Sequence, residues 1–314
     1  MQVTHGFVQP GGGPIGLTIG NFDGVHRGHR AMLKRLVEKT RELQIPCSVL
    51  TFEPHPREFF SPAAAPARLS RLREKLELLA EAGIHRTHVL RFGAQLAALA
   101  ADRFVEEVLV RGLGVRWLLV GQDFRYGARR AGDFAALRTA AAGGGFEVEA
   151  MGDVVEGGQR ISSSGVRDAL AAGDLAGAAR LLGRGYSMSG RVAHGEKLGR
   201  TLGFPTANIV LRRRPPVAGI FAVTAELEET REGETRAVLR GVASVGRRPT
   251  VKDDAPPLLE VHLFDWNGDL YGRHLRVKFL HRLRDEAKYD GLDALRAAIA
   301  RDAEQARDYF RKHG

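Results

Sequence analysis

The sequence predicts an α/β domain built on a parallel sheet, followed by an all-β unit closed by one C-terminal helix. Two rhythms carry this prediction. From about Ile15 to Met151, short runs rich in Val, Ile, Leu and Phe alternate with stretches of helical period, the pattern of parallel strands joined by crossover helices. After Tyr186 the segments are strand-like, with no helix-length period between them, which predicts a sandwich or a barrel. Length is the third observation. The 314 residues suffice for two ordinary domains, and the change of rhythm divides them into 1–185 and 186–314.

The first half offers five candidate strands: "IGLTI" (15–19), "CSVLTF" (47–52), "THVLRF" (87–92), "RWLLVG" (116–121) and "FEVEAM" (146–151). Between them, "AMLKRLVEKTREL" places Leu33, Leu36, Val37 and Leu43 near one helical face. "RLREKLELLAEAG" and "DRFVEEVLVRG" read as helices stopped by glycine, and residues 164–184 as two short helices with the same ending. Cys47 reads as a small core residue. In the second half, "YSMSGRVAHG", "TANIVL", "GIFAVTAELE", "RAVLRGVASVG", "LLEVHLFDW" and "HLRVKFLHRL" read as strands. The closing helix, "GLDALRAAIARDAEQARDYF", carries Leu292, Leu295 and Ile299 on one face.

Composition narrows the function classes. The hydrophobic fraction of 44% and charged fraction of 27% are those of a soluble globular protein. No apolar run is long enough to span a membrane, and "MQVTHGFVQPGGG" lacks the regions of a signal peptide. A single cysteine excludes an internal disulfide and suits a reducing, cytoplasmic setting. The net charge of +10 suits nucleic acid, an anionic membrane or anionic small substrates. The basic residues are scattered and form no basic-aromatic stripe, so no nucleic-acid role is expected.

Chemistry concentrates first in "GNFDGVHRGH", Gly20 to His29, directly after the first strand. In parallel sheets ligands bind beyond the strands' carboxyl ends. A glycine-rich turn leading into a helix offers backbone N–H groups to an anion, and Gly20, Gly24 and Gly28 allow close approach. It is neither a Walker A loop nor G-x-G-x-x-G. His26 and His29 fit phosphate donors, metal ligands or a merely polar turn; zinc would require a third ligand. Three further words follow strand ends or open a helix. "TFEPHPREFF" (51–60) holds two prolines that fix an irregular loop. "VGQDFRYGARRAGD" (120–133) carries Asp123, Phe124 and Tyr126 on the same edge. "ISSSGVRDAL" (161–170) sets Ser162, Ser163 and Ser164 before Arg167, a second anion cradle or a plain N-cap.

In the β half, "GRVAHGEKLGRTLGFPTANI" (190–209) is rich in glycine, with Gly195, Gly199 and Gly203 suggesting close backbone–ligand approach. Thr206 and Asn208 pair a hydroxyl with an amide on one face of an incipient strand, which suits Mg²⁺ and phosphate oxygens. Glu260 lies in an apolar strand on the same face as His262, so it is either paired in the core or catalytic.

Taken together, "GNFDGVHRGH", "TFEPHP", "GQDFRYG" and "ISSSGVR" resemble the adenylyltransferase module of bacterial bifunctional riboflavin kinase/FAD synthetases, and "GFPTAN" resembles the riboflavin kinase signature. The resemblance spans about Thr18 to Asp302. It implies a Rossmann-like nucleotidylyltransferase domain and an all-β riboflavin-kinase barrel, phosphorylating riboflavin to FMN and adenylylating FMN to FAD, with ATP as co-substrate and Mg²⁺ as cofactor. It further implies that His26, His29 and Arg167 act on phosphates, alongside Gly20, Asn21, Asp23, Gly28 and Ser162–Ser164. Asp123, Phe124 and Tyr126 would meet flavin in the first domain. In the second, Glu260 would take the proton of the riboflavin 5′-hydroxyl, with Thr206 and Asn208 on the metal. Gly195, Gly199 and Gly203 would cover the nucleotide there. Arg284 and Glu286, in "LRDEAKYDGLDALRAAIARD", would meet the flavin. Two positions depart from the family pattern: Ser164 stands for a more usual Thr, and Ser244 for a more usual Asn. An RNA-binding reading of the basic barrel would need stacking aromatics on its strands, which the sequence lacks.

Overall fold

The computed structural model describes residues 1–6, 13–195, 198–228, 237–246 and 256–313. Arg247–Thr250, directly after "RAVLRGVASVG", and Glu196–Lys197 of the glycine-rich stretch lie outside the described residues. The chain forms two compact units, Met1–Pro66 with Leu72–Ser163, and Ala67–Arg71 with Ser164–Gly314.

The first unit holds β1 (Gln2–His5), β2 (Ile15–Ile19), α1 (Arg27–Glu42), β3 (Cys47–Glu53), α2 (Pro56–Phe60), α3 (Leu72–Glu81) and β4 (Arg86–Arg91). There follow α4 (Ala94–Ala97), α5 (Ala101–Arg103), a π-helix at Phe104–Gly112, β5 (Val115–Gly121), α6 (Phe134–Gly144) and β6 (Glu147–Met151). A hairpin of β7 (Val155–Glu156) and β8 (Gln159–Arg160) ends it. The sheet is parallel, in the order β1-β4-β3-β2-β5-β6. Strand order therefore reverses between β2 and β5, the switch point where doubly wound sheets bind ligands. "GNFDGVHRGH" follows β2 and "GQDFRYG" follows β5, so both flank that point.

Each sheet face buries its own core. On one, Leu33 and Leu36 of α1 and Leu79 of α3 pack on Cys47, Val49, Trp117 and Leu119. On the other, the π-helix and α6 pack on Ile15, Leu17, Leu118 and Val120. Gly16 lets α1 come close to β2, since a Cβ there would lie 2.2 Å from Thr40 Cγ2. Leu43 does not belong to the buried face: it is the C-cap residue and is exposed. "DRFVEEVLVRG" is a π-helix over most of its length rather than an α-helix. Its buried residues, Phe104, Val105, Val108, Leu109 and Gly112, repeat every four positions. That period exceeds 3.6, so the wider winding keeps them on one side.

The second unit contains α7, which begins at the boundary (Ser163–Ala171), α8 (Leu175–Leu182), β9 (Ser187–Arg191), α9 (Leu198–Thr201), β10 (Ala207–Val210) and β11 (Gly219–Leu227). It ends with β12 (Val238–Gly246), β13 (Leu258–Leu263), β14 (His274–Arg284) and α10 (Leu292–His313). The six strands are antiparallel in the order β10-β13-β12-β11-β14-β9, and an Ala193–Asn208 bridge nearly closes the ring. The architecture is therefore a barrel rather than a sandwich. Its interior joins Phe221, Val223, Val261 and Val277 with Val166 and Leu170 of α7 and Ala178 and Leu182 of α8.

Outside the barrel, α10 covers Ile220, Ala222, Val242 and Phe264. The buried residues of α10 are Ala298, Asp302, Ala303, Ala306 and Phe310, which continue the Leu292–Leu295–Ile299 stripe at helical spacing. Leu292 is exposed and Leu295 and Ile299 are half-buried. Small alanines let the helix lie close to the strands, and Asp302 has a partner there.

Candidate functional site

At the switch point the turn after β2 is strained. Phe22 (φ 47°), Gly24 (φ 79°) and Val25 (φ 40°) all adopt left-handed backbone, and Phe22 and Val25 are buried. A β-branched valine there costs about 1–3 kcal/mol and persists only when its surroundings demand it. The outcome is that His26 becomes the N-cap of α1, its Nδ1 accepting the His29 N–H at 3.3 Å. The two imidazoles stack with centroids 3.6 Å apart and planes 17° apart. Gly28 is required beneath them, because a Cβ would sit 3.2 Å from both the His26 ring and the Ile161 carbonyl oxygen.

Burial, then His26, then Lys75 hold the His29 imidazole well below its ordinary pKa, so it is neutral near pH 7. Its Nδ1 and the Asn21 Oδ1 are buried without a hydrogen-bond partner. Buried polar atoms left over at such a point are suited to hydrogen-bond a polar ligand. Asp23 is buried, and its carbonyl accepts from Ser163 Oγ at 2.9 Å, which ties "ISSSGVR" to the turn. Ser162 is half-buried in the same unit. Ser164 and Arg167 belong to the second unit, where Arg167 Nε donates to the Ala67 carbonyl at 2.7 Å.

After β5, Asp123 is exposed and accepts from Arg160 of β8 at 2.7 Å. Phe124 stacks on Tyr126 at 5.6 Å. Tyr126 itself is only 7% exposed, wedged against Phe104, and a Cβ at Gly132 would lie 2.5 Å from its ring. The β7–β8 hairpin, turned by Gly157 (φ 57°) and Gly158 (φ 79°), reaches both motifs, since Glu156 pairs with Arg27 and Arg160 with Asp123. An aromatic cluster went unread in the sequence: Phe59 and Phe60 of α2 pack edge-on with Phe92, and Phe60 is 63% exposed. The loop leading to it is braced by His55, which caps α2 while Glu58 accepts the His55 N–H at 3.1 Å.

In the second unit the polar residues line the outer side of the barrel wall. Asn208, Glu260 and Ser244 are directly opposed on β10, β13 and β12, in one row. Leu259 and Val261 point to the barrel interior, so Glu260 is half-buried on the opposite face and is not a core carboxylate. Asn208 is buried, and its Oδ1 has no hydrogen-bond partner. Gly195 leaves room for it: a Cβ would fall 2.1 Å from Asn208 Nδ2. Gly199 makes similar room, with a would-be Cβ 2.4 Å from the Phe204 carbonyl oxygen and 3.4 Å from Thr206 Oγ1. Gly203 takes φ 88°, turning the chain into "FPTAN". His262 Nδ1–H donates to the Pro205 carbonyl at 2.9 Å and holds that segment.

Ser244 Oγ donates to Glu286 Oε1 at 3.3 Å, so the departure from Asn keeps a hydrogen bond. Loss of solvation and the nearby Glu260 carboxylate raise the Glu286 pKa. Arg284 is engaged elsewhere: Nε and Nη2 donate to Asp302 at 2.7 and 2.5 Å, and Nη1 to the Asp285 carbonyl at 2.7 Å. Among the described residues, no group of three His, Cys, Asp or Glu side chains is placed to hold a metal ion. Asn208 Oδ1 and the Thr206 hydroxyl are hard oxygen donors, and the orphaned amide oxygen fits a hard cation such as Mg²⁺.

The comparisons with known proteins match each half of the chain to a family. Residues 13–165 match the family model for FAD synthetase and residues 182–310 that for riboflavin kinase. The bifunctional riboflavin kinase/FMN adenylyltransferase of Escherichia coli (strain K12) is 50% identical over 295 residues, covering 94% of this chain and 92% of that protein. The protein of the same description from Pseudomonas fluorescens is 49% identical, covering 92% and 91%. A crystal structure described as a macrolide-efflux protein from Streptococcus pneumoniae superposes with a TM-score of 0.78 at 28% identity, covering 98% of this chain and 99% of that one. Among the described residues of the present chain, no helix is long and apolar enough to cross a membrane.

Proposed function

The chain belongs to the bifunctional riboflavin kinase/FMN adenylyltransferase family, making FMN from riboflavin and FAD from FMN, and from that premise we propose how its residues divide the two reactions. Glu260 takes the proton from the riboflavin 5′-hydroxyl as that oxygen attacks the γ-phosphorus of ATP. The observation that carries this is the row Asn208–Glu260–Ser244, which sets a solvent-reachable carboxylate beside an unsatisfied amide oxygen. Thr206 and Asn208 would hold Mg²⁺, which supplies charge neutralisation on the phosphates. Gly195, Gly199 and Gly203 leave space for the nucleotide. Glu286 accepts from the flavin side, and Arg284 acts on it indirectly by anchoring its segment to Asp302.

In the first unit, the FMN phosphate attacks the α-phosphorus of ATP and pyrophosphate leaves. His26 and the neutral His29 donate hydrogen bonds to phosphate oxygens and stabilise the charge that builds there. Backbone from Gly20 to Gly28, with Asn21 and Asp23, shapes the cradle, and Ser162 and Ser163 add hydroxyl donors. The exposed Phe59–Phe60–Phe92 cluster and Phe124, backed by Tyr126, offer apolar faces for the flavin ring, with Asp123 at their edge. The substrates are riboflavin, FMN and ATP, and the location we propose is the cytoplasm, consistent with one unpaired, buried cysteine. Glu260→Gln tests the division: FMN formation is expected to fall at least 10³-fold while FMN-to-FAD conversion persists, and retained kinase turnover would refute the base role.

A further inference from the structure

Lys75 is the residue that neither reaction has yet used. It is 0% exposed on α3, one position after the buried Glu74. Taking an ammonium out of water is costly, so a helix that packs one against the sheet does so for the partners the charge meets. Its Nζ donates to Thr51 Oγ1 at 3.3 Å, and Thr51 Oγ1 donates to the Asn21 carbonyl at 3.3 Å. The ammonium, the end of β3 and the turn after β2 are thus joined in one chain. That turn carries the stacked histidines and the orphaned Asn21 amide oxygen.

We propose that Lys75 is a positioning residue for adenylyl transfer. Through Thr51 it fixes Asn21 and the strained turn, and its charge provides a constant positive potential beneath the polyphosphate. The direction of the charge effect is visible at His29, which burial, His26 and then Lys75 keep neutral. The proposal rests on the assignment of Gly20–His29 to the ATP phosphates. It does not require Lys75 to touch ATP.

The test uses the full-length protein with Lys75→Met, Lys75→Arg and His29→Asn. Lys75→Met is expected to raise the KM for ATP in FMN-to-FAD conversion roughly 10- to 100-fold, the weight of one charge-assisted interaction. Lys75→Arg is expected to recover most of that loss, and riboflavin phosphorylation by the same preparations to stay unchanged. The His29 imidazole, followed by NMR, should titrate at higher pH in Lys75→Met and not in Lys75→Arg. A folded Lys75→Met protein with wild-type KM for ATP and an unmoved His29 titration overturns the proposal. If His29→Asn also leaves FAD formation intact, the phosphate assignment falls with it; if His29→Asn abolishes FAD formation, only the role of Lys75 falls. Should Lys75→Met fail to fold, Thr51→Val breaks the same chain while keeping the charge. It is expected to raise the KM for ATP about 3- to 10-fold, and an unchanged KM would overturn the proposal.

Discussion

Replacing Asp302 by alanine offers the sharpest energetic test of the second unit. Its carboxylate side chain is 7% exposed on α10 and takes two hydrogen bonds from Arg284, whose side chain is 29% exposed at the end of β14. Removing one partner of a buried ion pair costs about 3–5 kcal/mol, because the other charge is left uncompensated. Arg284 would keep the Asp285 carbonyl and the face of Tyr289, 5.8 Å away, and it is partly solvated. The expected loss for Asp302→Ala therefore falls below that range, at about 2–3 kcal/mol. Arg284→Ala strands the more deeply buried carboxylate and should cost the larger share, about 3–5 kcal/mol. At roughly 2–4 °C per kcal/mol for a unit of this size, Asp302→Ala should lower the unfolding midpoint of the second unit by about 5–10 °C. Calorimetry or denaturant titration of the full-length protein reads this directly. The segment carrying Glu286 is anchored by the same pair, so the KM for riboflavin should rise as well. A loss below about 0.5 kcal/mol, or a larger loss for Asp302→Ala than for Arg284→Ala, would refute the reasoning.

Three other outcomes are expected. Gly195→Ala drives a methyl into the Asn208 amide, 2.1 Å away, and should cut kinase turnover about 100-fold while sparing FMN adenylylation, as assayed from supplied riboflavin and supplied FMN. Gly28→Ala crowds the His26 ring at 3.2 Å and should do the converse, slowing FAD formation about tenfold with the kinase untouched. Burial, then Arg86, push His88 down to about 4, whereas the unfolded chain protonates near 6.5. The unfolded state then binds the extra proton first, so stability is lost as pH falls from about 6.5 to 4, by up to about 3 kcal/mol; His88→Gln should flatten that limb of the acid unfolding curve.

Much of the fold was legible because its signals are local. Five strands of the parallel sheet, the change of rhythm after Tyr186 and the helix stops at glycine all follow from period and turn residues. The missed pieces are those whose cause is tertiary. β1, four residues at the sheet edge, has too few apolar residues to show a period. The β7–β8 hairpin did have a signal, Gly157-Gly158 between short polar runs, but its strands are two residues each. On α10, the Leu292–Leu295–Ile299 stripe marked the right face, but the residues buried on it are the alanines, Asp302 and Phe310 of the later turns, which meet the barrel strands.

The sites divide in the same way. Motif residues such as His26, His29, Asn208 and Glu260 stand at the start of the helix after β2 or on one row of the barrel's outer face, where the words in the sequence lie. Glu260 read as either core or catalytic until the register showed which face it occupies. Lys75 and Asp302 were invisible as functional residues, since each is a charge at a helix position in phase with the core. That mismatch is itself a readable signal: a lysine four residues before the buried Leu79 breaks the apolar pattern of α3. Phe59 and Phe60 lay inside a quoted motif, but only the exposed three-ring cluster with Phe92 gives them a use.

The two-site account is tested most directly by complementation. Full-length Glu260→Gln and His29→Asn proteins are each supplied with riboflavin, ATP and Mg²⁺, alone and mixed, and the flavins are separated and quantified. The account predicts that Glu260→Gln alone leaves riboflavin unchanged, that His29→Asn alone stops at FMN, and that the mixture makes FAD. FMN formed by Glu260→Gln alone, or FAD formed by His29→Asn alone at the wild-type rate, would contradict it.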